Sequence, residues 1–485
     1  MELQCPSLFE QSAYIAGAWV DETALPRVAV TNPSTRAVIG SVPQVTEEQV
    51  AHAVECAQAA LQDWRNWSSR ERASVLREWG RLVEHHRDDL AIILCSEQGK
   101  PLHEARAEIT QAANYLDWFA EEARRIYGDN IPAPRRNQRI RVLHQPVGVC
   151  GAITSWAFPA SMVARRVGAA LAAGCTVILH PDPSTPFSAL ALCALGENAG
   201  LPRGVLSVLT GEADPIRSTL LAHPEVRKVS FTGPIEAGKQ LMSQCASTVK
   251  KMSLELGANC PFIVFDDADI DLAVKGALDA RFRHTGQAAM CANRFFVHED
   301  VYETFVGRLV SKVAVLKVGD GLDEGVQIGP LISEEAVARI EALISEAVGM
   351  GATVAAGGVR VRSDSGFFRP TVLTNVRPDM RICGDEVLGP VASVLPFRDE
   401  DDVITLANDT RTGLAAYFYT ADISRAFRVM EALECGVVGV NDSLVFNEVA
   451  PFGGIKESGM GREGASSGIE EYLEAKYVCF GNLER

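Results

Sequence analysis

The feature that most constrains the fold is a regular alternation of short apolar strands with helical segments after residue 147. Gly148–Thr154, Thr176–Leu179 and Val205–Leu209 have the length and apolar content of buried strands. Helical patterns separate them, over Ser161–Ala173 and Pro186–Ala199. Strands that alternate with helices form βαβ units with a parallel sheet. The pattern therefore predicts an α/β domain.

A second alternation of the same kind begins near Cys260. It predicts strands at Pro261–Phe265 and Phe295–Val297, and helices at Asp269–Arg283 and Val301–Val313. A chain of 485 residues is long enough for two or three domains. We therefore expect two α/β domains with a cleft between them.

Two further strands lie outside these alternations. Gln138–His144 alternates polar and apolar residues, and we expect it to pair with Ala475–Cys479 in a small sheet used for association. Residues 48–125 have apolar residues at helical spacing, as in Val50–Trp67 and Glu71–His86, and are expected to be helical. The expected organisation, listed by residue number, is a first α/β domain of 1–125 and 145–255, a second of 256–440, and a β-arm with the C-terminal segment of 126–144 and 441–485.

Charge and composition disfavour several classes of partner. The chain has 46 Lys and Arg against 62 Asp and Glu, a net charge of −16, which disfavours binding to nucleic acid or anionic membrane. The twelve cysteines form no CxxC pair, so no metal site is expected. The N-terminus has no signal-peptide pattern, and the longest charge-free apolar run, Val167–Leu179, is too short to span a bilayer. We expect a cytoplasmic location.

Seven short motifs occur along the chain in one order: ITSWAFP (153–159), ALAAGCTVILHP (170–181), FTGPIEAGK (231–239), SLELG (253–257), FRHTGQAAMCANR (282–294), DEVLGP (385–390) and PFGGIKESGMGRE (451–463). Because these motifs occur in this order and spacing, the chain resembles the aldehyde dehydrogenase superfamily over nearly its whole length. ARFRHTGQ, EVAPFGG and SGIEEYLEAKYVCFG most resemble succinate-semialdehyde dehydrogenases.

The resemblance implies an aldehyde dehydrogenase fold, with two Rossmann-like α/β domains and a small β-arm for oligomerisation. In this reading the first domain binds NAD or NADP and the second is catalytic. It also implies oxidation of a semialdehyde-like substrate, a small-molecule aldehyde or carboxylate ligand, and a homodimer or homotetramer.

The catalytic positions depart from the family pattern. The reaction needs a thiolate that attacks the aldehyde carbonyl and donors that hold the resulting oxyanion. The nucleophile position, two residues after Gly286–Gln287, holds Ala289, and the position of the oxyanion amide holds Ala157. Glu255 matches the general base. Loss of one oxyanion donor costs ~10²–10³ in rate, and loss of the nucleophile removes the covalent route. The sequence therefore predicts a severely impaired or inactive dehydrogenase.

The cofactor positions are partly retained. Gly233 and Gly238 match the glycines that let a helix N-terminus approach a pyrophosphate, and Glu386 matches the ligand of the nicotinamide ribose. Trp156 is expected in the wall of the same site, and His180 stands where the family has a lysine for the adenosine ribose. Four further positions depart from the family pattern: Pro183, Pro234, Ala258 and Leu388. Pro234 has no N–H to donate to the pyrophosphate. Together these changes predict weakened binding of NAD or NADP.

The substrate positions are mixed as well. Arg165 and Arg283 match the arginines that hold the substrate carboxylate in the resembling subfamily, although each is as readily a structural ion pair. Phe446 replaces a serine of that site and suggests a bulkier or more aromatic ligand. Cys291 is interpreted as a structural thiol rather than a replacement nucleophile, and His284 as a structural histidine rather than a new acid or base.

Three interpretations of the whole chain stay open. The first is a dehydrogenase disabled by deliberate alanine substitution. The second is a natural homologue that uses the pocket, with Glu255 or His284, for non-redox chemistry such as hydration, cyclisation or elimination. The third is a binding or scaffold protein. The altered cofactor positions favour the second.

Overall fold

The computed structural model describes residues 2–21, 25–363 and 365–483. Its α-helices are α1 (Glu47–Trp64), α2 (Ser69–His85), α3 (Arg87–Gln98), α4 (Leu102–Glu122), α5 (Ser161–Ala173), α6 (Pro186–Asn198), α7 (Ala213–Ala222), α8 (Ile235–Cys245), α9 (Ile270–Arg281), α10 (Glu299–Val313), α11 (Glu334–Gly349), α12 (Arg381–Gly384), α13 (Glu400–Asn408), α14 (Ile423–Ala432) and α15 (Ala465–Glu470). None of the helices in these described ranges is long and apolar enough to cross a membrane.

The strands are β1 (Ala13–Ile15), β2 (Ala18–Val20), β3 (Arg27–Thr31), β4 (Val38–Pro43), β5 (Asp129–Ile131), β6 (Arg139–Pro146), β7 (Val149–Ile153), β8 (Thr176–His180), β9 (Leu206–Val208), β10 (Val226–Gly233), β11 (Lys251–Leu256), β12 (Cys260–Val264), β13 (Ala292–His298), β14 (Thr353–Ala356), β15 (Thr371–Thr374), β16 (Val391–Phe397), β17 (Thr412–Gly413), β18 (Ala415–Tyr419), β19 (Val437–Val440), β20 (Ile455–Lys456), β21 (Gly459–Met460) and β22 (Leu473–Phe480).

The first large sheet has the strand order β2-β1-β9-β8-β7-β10-β11-β21. The run from β9 to β11 is parallel, and the chain reverses direction across the sheet between β7 and β10. In open parallel sheets, ligands bind beyond the carboxyl ends of the strands at such a reversal. We therefore expect a ligand site at the carboxyl ends of β7, β10 and β11.

The second large sheet has the order β14-β15-β16-β13-β12-β18-β19, and only the β14–β15 pair is antiparallel. Residues 287–291 lead into β13 and therefore lie at the amino end of this sheet. They face the first sheet, since some of them line one cavity together with residues of that sheet. The two predicted α/β regions and their parallel sheets are confirmed.

The two outlying strands pair as predicted. β22 runs antiparallel to β6 over its whole length, from Leu473 opposite Pro146 to Phe480 opposite Arg139, and β5 adds a third strand. The rest of the C-terminal segment is used elsewhere, since β21 closes the edge of the first sheet and α15 packs on α5.

Buried helix α5 connects the first sheet to the site. All of its residues are buried, including Arg165 and Arg166, because small side chains let it pack against α4 on one side and the sheet on the other. Two arginines inside such a helix require partners of opposite charge. Those partners are in the site.

Candidate active site

Two adjoining cavities lie between the two large sheets. The first, here named the Glu255 cavity, has a volume of about 110 Å³. The carboxyl ends of β7, β10 and β11 line one side of it, and the other side is lined by Gln287, Ala289, Met290, Glu386 and Leu388. The second, the Arg283 cavity, has a volume of about 100 Å³. It is lined by the end of α9, by residues 443–446, and by Arg283, His284, Ala288, Met290 and Cys291. Phe158 and Met290 line both.

The structure groups most of the sequence-predicted residues around these cavities. The Glu255 cavity is lined by six of them: Trp156, Ala157, Gly233, Glu255, Ala289 and Glu386. The Arg283 cavity is lined by four: Arg283, His284, Cys291 and Phe446. Arg165, His180 and Gly238 line neither cavity.

Glu255 is held by a buried network of ion pairs. Its carboxylate accepts a hydrogen bond from Arg165 and one from the Thr232 hydroxyl at 2.9 Å, and Arg166 lies 3.4 Å away. Glu463 pairs with the same two arginines, with 2.7 Å between its Oε1 and Arg166 Nε. The network thus contains two arginines and two glutamates, and its charges balance.

The two carboxyls of this network do not share a proton equally. Burial raises the pKa of Glu255, against the opposing effect of Arg165. Burial also acts on Glu463, but Arg165 and Arg166 outweigh it and hold the pKa of that carboxyl below its usual range. If the network takes up a proton, the proton therefore goes to Glu255, the group that faces the cavity.

Arg165 is buried in ion pairs and lines neither cavity. Its side chain is 1% exposed and contacts both carboxylates. Its guanidinium carbon lies 5.2 Å from the ring centroid of Phe446 and 5.5 Å from that of Phe452. With every side covered, Arg165 has no face open to a ligand.

The loop that carries Ala157 is fixed by a second buried ion pair. Lys100 donates to Glu108 at 2.5 Å and to the Ala157 carbonyl oxygen at 2.9 Å. The other oxygen of Glu108 accepts the N–H groups of Ala160 and Ser161, which begin α5. The backbone at 157 is therefore well positioned, but its methyl side chain can donate nothing to an oxyanion.

The segment that carries Ala289 begins with a left-handed turn. His284, Thr285 and Gly286 have φ values of 52°, 58° and 69°. A Cβ on Gly286 would lie 2.2 Å from the Gly389 carbonyl oxygen, so only glycine fits there. The turn ends α9 at Arg281, two residues before the predicted end. Non-glycine residues in this conformation are uncommon and cluster at functional sites.

Cys291 and His284 face the Arg283 cavity rather than the Glu255 cavity. Burial raises the pKa of the Cys291 thiol, so the neutral, weakly nucleophilic form is favoured. Burial also lowers the pKa of His284 well below its ordinary value, and its backbone N–H donates to Glu104 at 2.9 Å. Both properties agree with the structural interpretations of these side chains.

Two residues that the sequence places at the cofactor site, His180 and Gly238, pack against other parts of the first domain. His180 is 0% exposed, its Nε2 lies 3.2 Å from the Gly211 carbonyl oxygen, and burial lowers its pKa to about 4. It is a neutral interior histidine and offers no charge to an adenosine ribose. Gly238 faces Leu256, where a Cβ would lie 2.5 Å from the leucine side chain, so this glycine permits close packing of α8 on β11.

Glu386, the residue that the sequence matches to the ligand of the nicotinamide ribose, is partly buried beside the Glu255 cavity. It lines the Glu255 cavity, and its Oε1 accepts the Ala258 N–H at 3.0 Å. Burial raises the pKa of this carboxyl. A Cβ on Gly257 would lie 2.7 Å from the other carboxylate oxygen, which explains the glycine next to it.

Sequence reasoning missed four residues that shape the site. Lys100, Glu108, Arg166 and Glu463 hold Ala157, α5 and Glu255 in place. The adjacent arginines at 165 and 166 in an otherwise apolar helix were an available signal, since buried charges require partners. Within the described residues, no group of three or more His, Cys, Asp or Glu side chains is placed to hold a metal ion.

Comparisons with known proteins agree with this geometry. Residues 19–478 match the model of the aldehyde dehydrogenase family. The chain is 52% identical to the NADP-dependent succinate-semialdehyde dehydrogenase of Escherichia coli, covering 99% of this chain and all of that protein. It is 51% identical to the glutarate-semialdehyde dehydrogenase of Pseudomonas aeruginosa over the full length of both. The crystal structure of an E. coli NADP-dependent enzyme superposes with a TM-score of 0.98 at 51% identity, covering 99% of this chain and all of that one.

Proposed function

We propose, from the premise that the chain belongs to the aldehyde dehydrogenase family, that it binds an aldehyde or carboxylate ligand in its two cavities and oxidises aldehydes little or not at all. The observation that carries this proposal is the methyl group of Ala289 in the wall of the Glu255 cavity. No cysteine is among the described residues that line that cavity. Glu255 is present, but a base alone cannot form the covalent intermediate from which hydride is transferred.

The class of ligand is supported by the relatives. The similar proteins include dehydrogenases of succinate semialdehyde, glutarate semialdehyde and 3-sulfolactaldehyde. Each of these names describes an aldehyde that also carries an anionic group. The arginine of the adjoining Arg283 cavity suits such a group, because a guanidinium binds carboxylates in bidentate fashion.

The residues present fit the nicotinamide half of NAD or NADP better than its adenosine half. Around the Glu255 cavity, Glu386 would hold the nicotinamide ribose, and the cofactor would supply the hydride acceptor. At the adenosine end, His180 is buried and neutral. Pro234 directly precedes α8 and has no N–H to donate to a phosphate. We therefore propose that NAD or NADP binds, but more weakly than in family members with a lysine in place of His180 and a serine in place of Pro234.

A second candidate function is ligand binding or non-redox chemistry in a natural homologue. His180, which is buried, and Pro234, which is exposed, favour it, because a chain disabled only at 157 and 289 has no reason to change at these positions. The raised pKa of Glu255 would suit a group that exchanges protons with a bound ligand.

The experiment that separates these functions restores the missing groups. We compare the unchanged chain with the Ala157→Asn/Ala289→Cys variant, measuring NADH and NADPH formation with succinic and glutaric semialdehydes. The matched control is Ala157→Asn/Ala288→Cys, which puts the thiol on the neighbouring residue of the Arg283 cavity. Turnover only in the 289 variant supports a dehydrogenase scaffold that lacks its reactive groups. If neither variant forms NADH or NADPH, the second candidate function is supported.

A further inference from the structure

The Arg283 cavity has one arginine on its wall, at its outer end. Among the described residues Arg283 has no hydrogen-bond or ion-pair partner, although Asp279 stands on the same wall and its raised pKa is partly offset by the arginine. Arg283 also lines an outer pocket that contains His103 and Lys275. Glu104 and Asp279 line this outer pocket as well, so acidic and basic groups are mixed at the mouth of the cavity. Arg283 nevertheless keeps guanidinium donors that no described residue occupies.

The other expected carboxylate ligand has been closed off by Phe446. The ring of Phe446 lies edge to face against Phe452, at a centroid distance of 4.6 Å, and covers the guanidinium of Arg165. Its carbonyl oxygen accepts a hydrogen bond from Gln111, and Tyr115 donates to the carbonyl of the next residue. Phe446 is thus held over Arg165 from two sides.

Between these two ends apolar side chains form most of the cavity wall, with a few polar groups among them. Phe158, Met290 and Val445 line it together with Phe446. The Tyr417 hydroxyl also belongs to this wall, but it donates to the Met290 carbonyl oxygen at 2.9 Å. The middle of the cavity therefore suits a hydrocarbon surface better than a second anionic group.

We propose that the ligand is a monocarboxylate with a flat apolar or aromatic body, bound by its carboxylate to Arg283, and that Phe446 selects it against short dicarboxylates. This inference rests on the proposed function, because it names the ligand class of the same cavities. Burial of the apolar body against the aromatic wall supplies the selectivity, since removing such a surface from water is favourable in proportion to its area.

The test uses two stable acids, 4-phenylbutanoate and succinate, as probes of the unchanged chain in isothermal titration calorimetry. Burying one phenyl group predicts at least about tenfold tighter binding of 4-phenylbutanoate. Equal affinities, or tighter binding of succinate, would overturn the proposal.

Variants identify the residues responsible. Phe446→Ser should reduce the preference for 4-phenylbutanoate, whereas the apolar control Phe446→Leu should keep most of it. Arg283→Gln should weaken binding of 4-phenylbutanoate at least about tenfold, and Arg308→Gln, the same change at an arginine outside both cavities, should not. A preference unchanged in Phe446→Ser, or equal effects of the two arginine variants, contradicts the assignment.

These binding measurements involve no turnover. Dehydrogenase activity of the unchanged chain would refute the proposed function and leave the selectivity standing. Loss of the selectivity would leave the proposed function standing.

Discussion

The buried network around Glu255 gives the sharpest prediction about stability. Arg165→Met removes one of two arginines that face two buried carboxylates, and its side chain is only 1% exposed. Removing one partner of a buried ion pair costs about 3–5 kcal/mol, because the remaining charge is left without compensation. Since Arg166 still contacts both glutamates, we expect the lower end, about 3 kcal/mol. That is roughly a 150-fold change in the unfolding equilibrium.

Urea unfolding followed by tryptophan fluorescence measures this loss. The matched control is Arg398→Met, whose ion pair with Glu299 is largely exposed, with 76% of the arginine side chain accessible. Exposed pairs contribute about 0–1 kcal/mol. If the two variants lost the same stability, the network would not be the buried unit described above.

The same network predicts a direction for the pH dependence. The pKa of Glu255 is raised in the folded protein, so the folded state binds its proton more readily than the unfolded state. Its contribution to stability therefore falls as pH rises through the folded pKa. Without Arg165 this pKa rises further, so the destabilisation of Arg165→Met should grow with pH. A cost that shrinks as pH rises would refute the assignment of the proton to Glu255.

Two more predictions concern residues that the sequence placed at the cofactor site. Gly238→Ala puts a Cβ 2.5 Å from the Leu256 side chain and should cost about 1–3 kcal/mol; Gly349→Ala, which faces open space, should be neutral or stabilise by up to about 1 kcal/mol, and equal melting shifts would contradict this. Burial lowers the pKa of His180 from 6.5 to about 4, so its contribution to stability is present above 6.5 and is lost as pH falls towards 4. His180→Gln should remove that dependence in thermal melts, and parallel curves for the two proteins would argue against a buried neutral histidine.

Much of the fold could be predicted because its signals are local. Helix α5 has the predicted bounds, and the predicted strand at 148–154 is observed as Val149–Ile153. The first helix begins at Glu47 rather than Val50, since Thr46 and Gln49 form a capping box. That signal was present in the sequence. The pairing of β6 with β22 followed from two strands that had no other neighbour.

The partners of charged side chains could not be predicted in the same way. Arg166 and Glu463 are 297 residues apart in sequence, and their contact depends on how α5 packs beside the hairpin that carries Glu463. Matching residues to a motif indicated a carboxylate ligand at Arg165, but it could not show that Glu255, Glu463 and Phe446 cover that side chain. Likewise the motif position of His180 gave no information about its burial.

We propose that Ala289 and Ala157 leave the cavities without the groups that oxidise an aldehyde. The most direct test is NADH and NADPH formation by the unchanged chain with succinic semialdehyde, at saturating cofactor so that weak binding does not mask activity. The expected result is no rate above that of the mixture without protein. A clear, protein-dependent rate would contradict it and would show that another group in these cavities replaces the missing thiol.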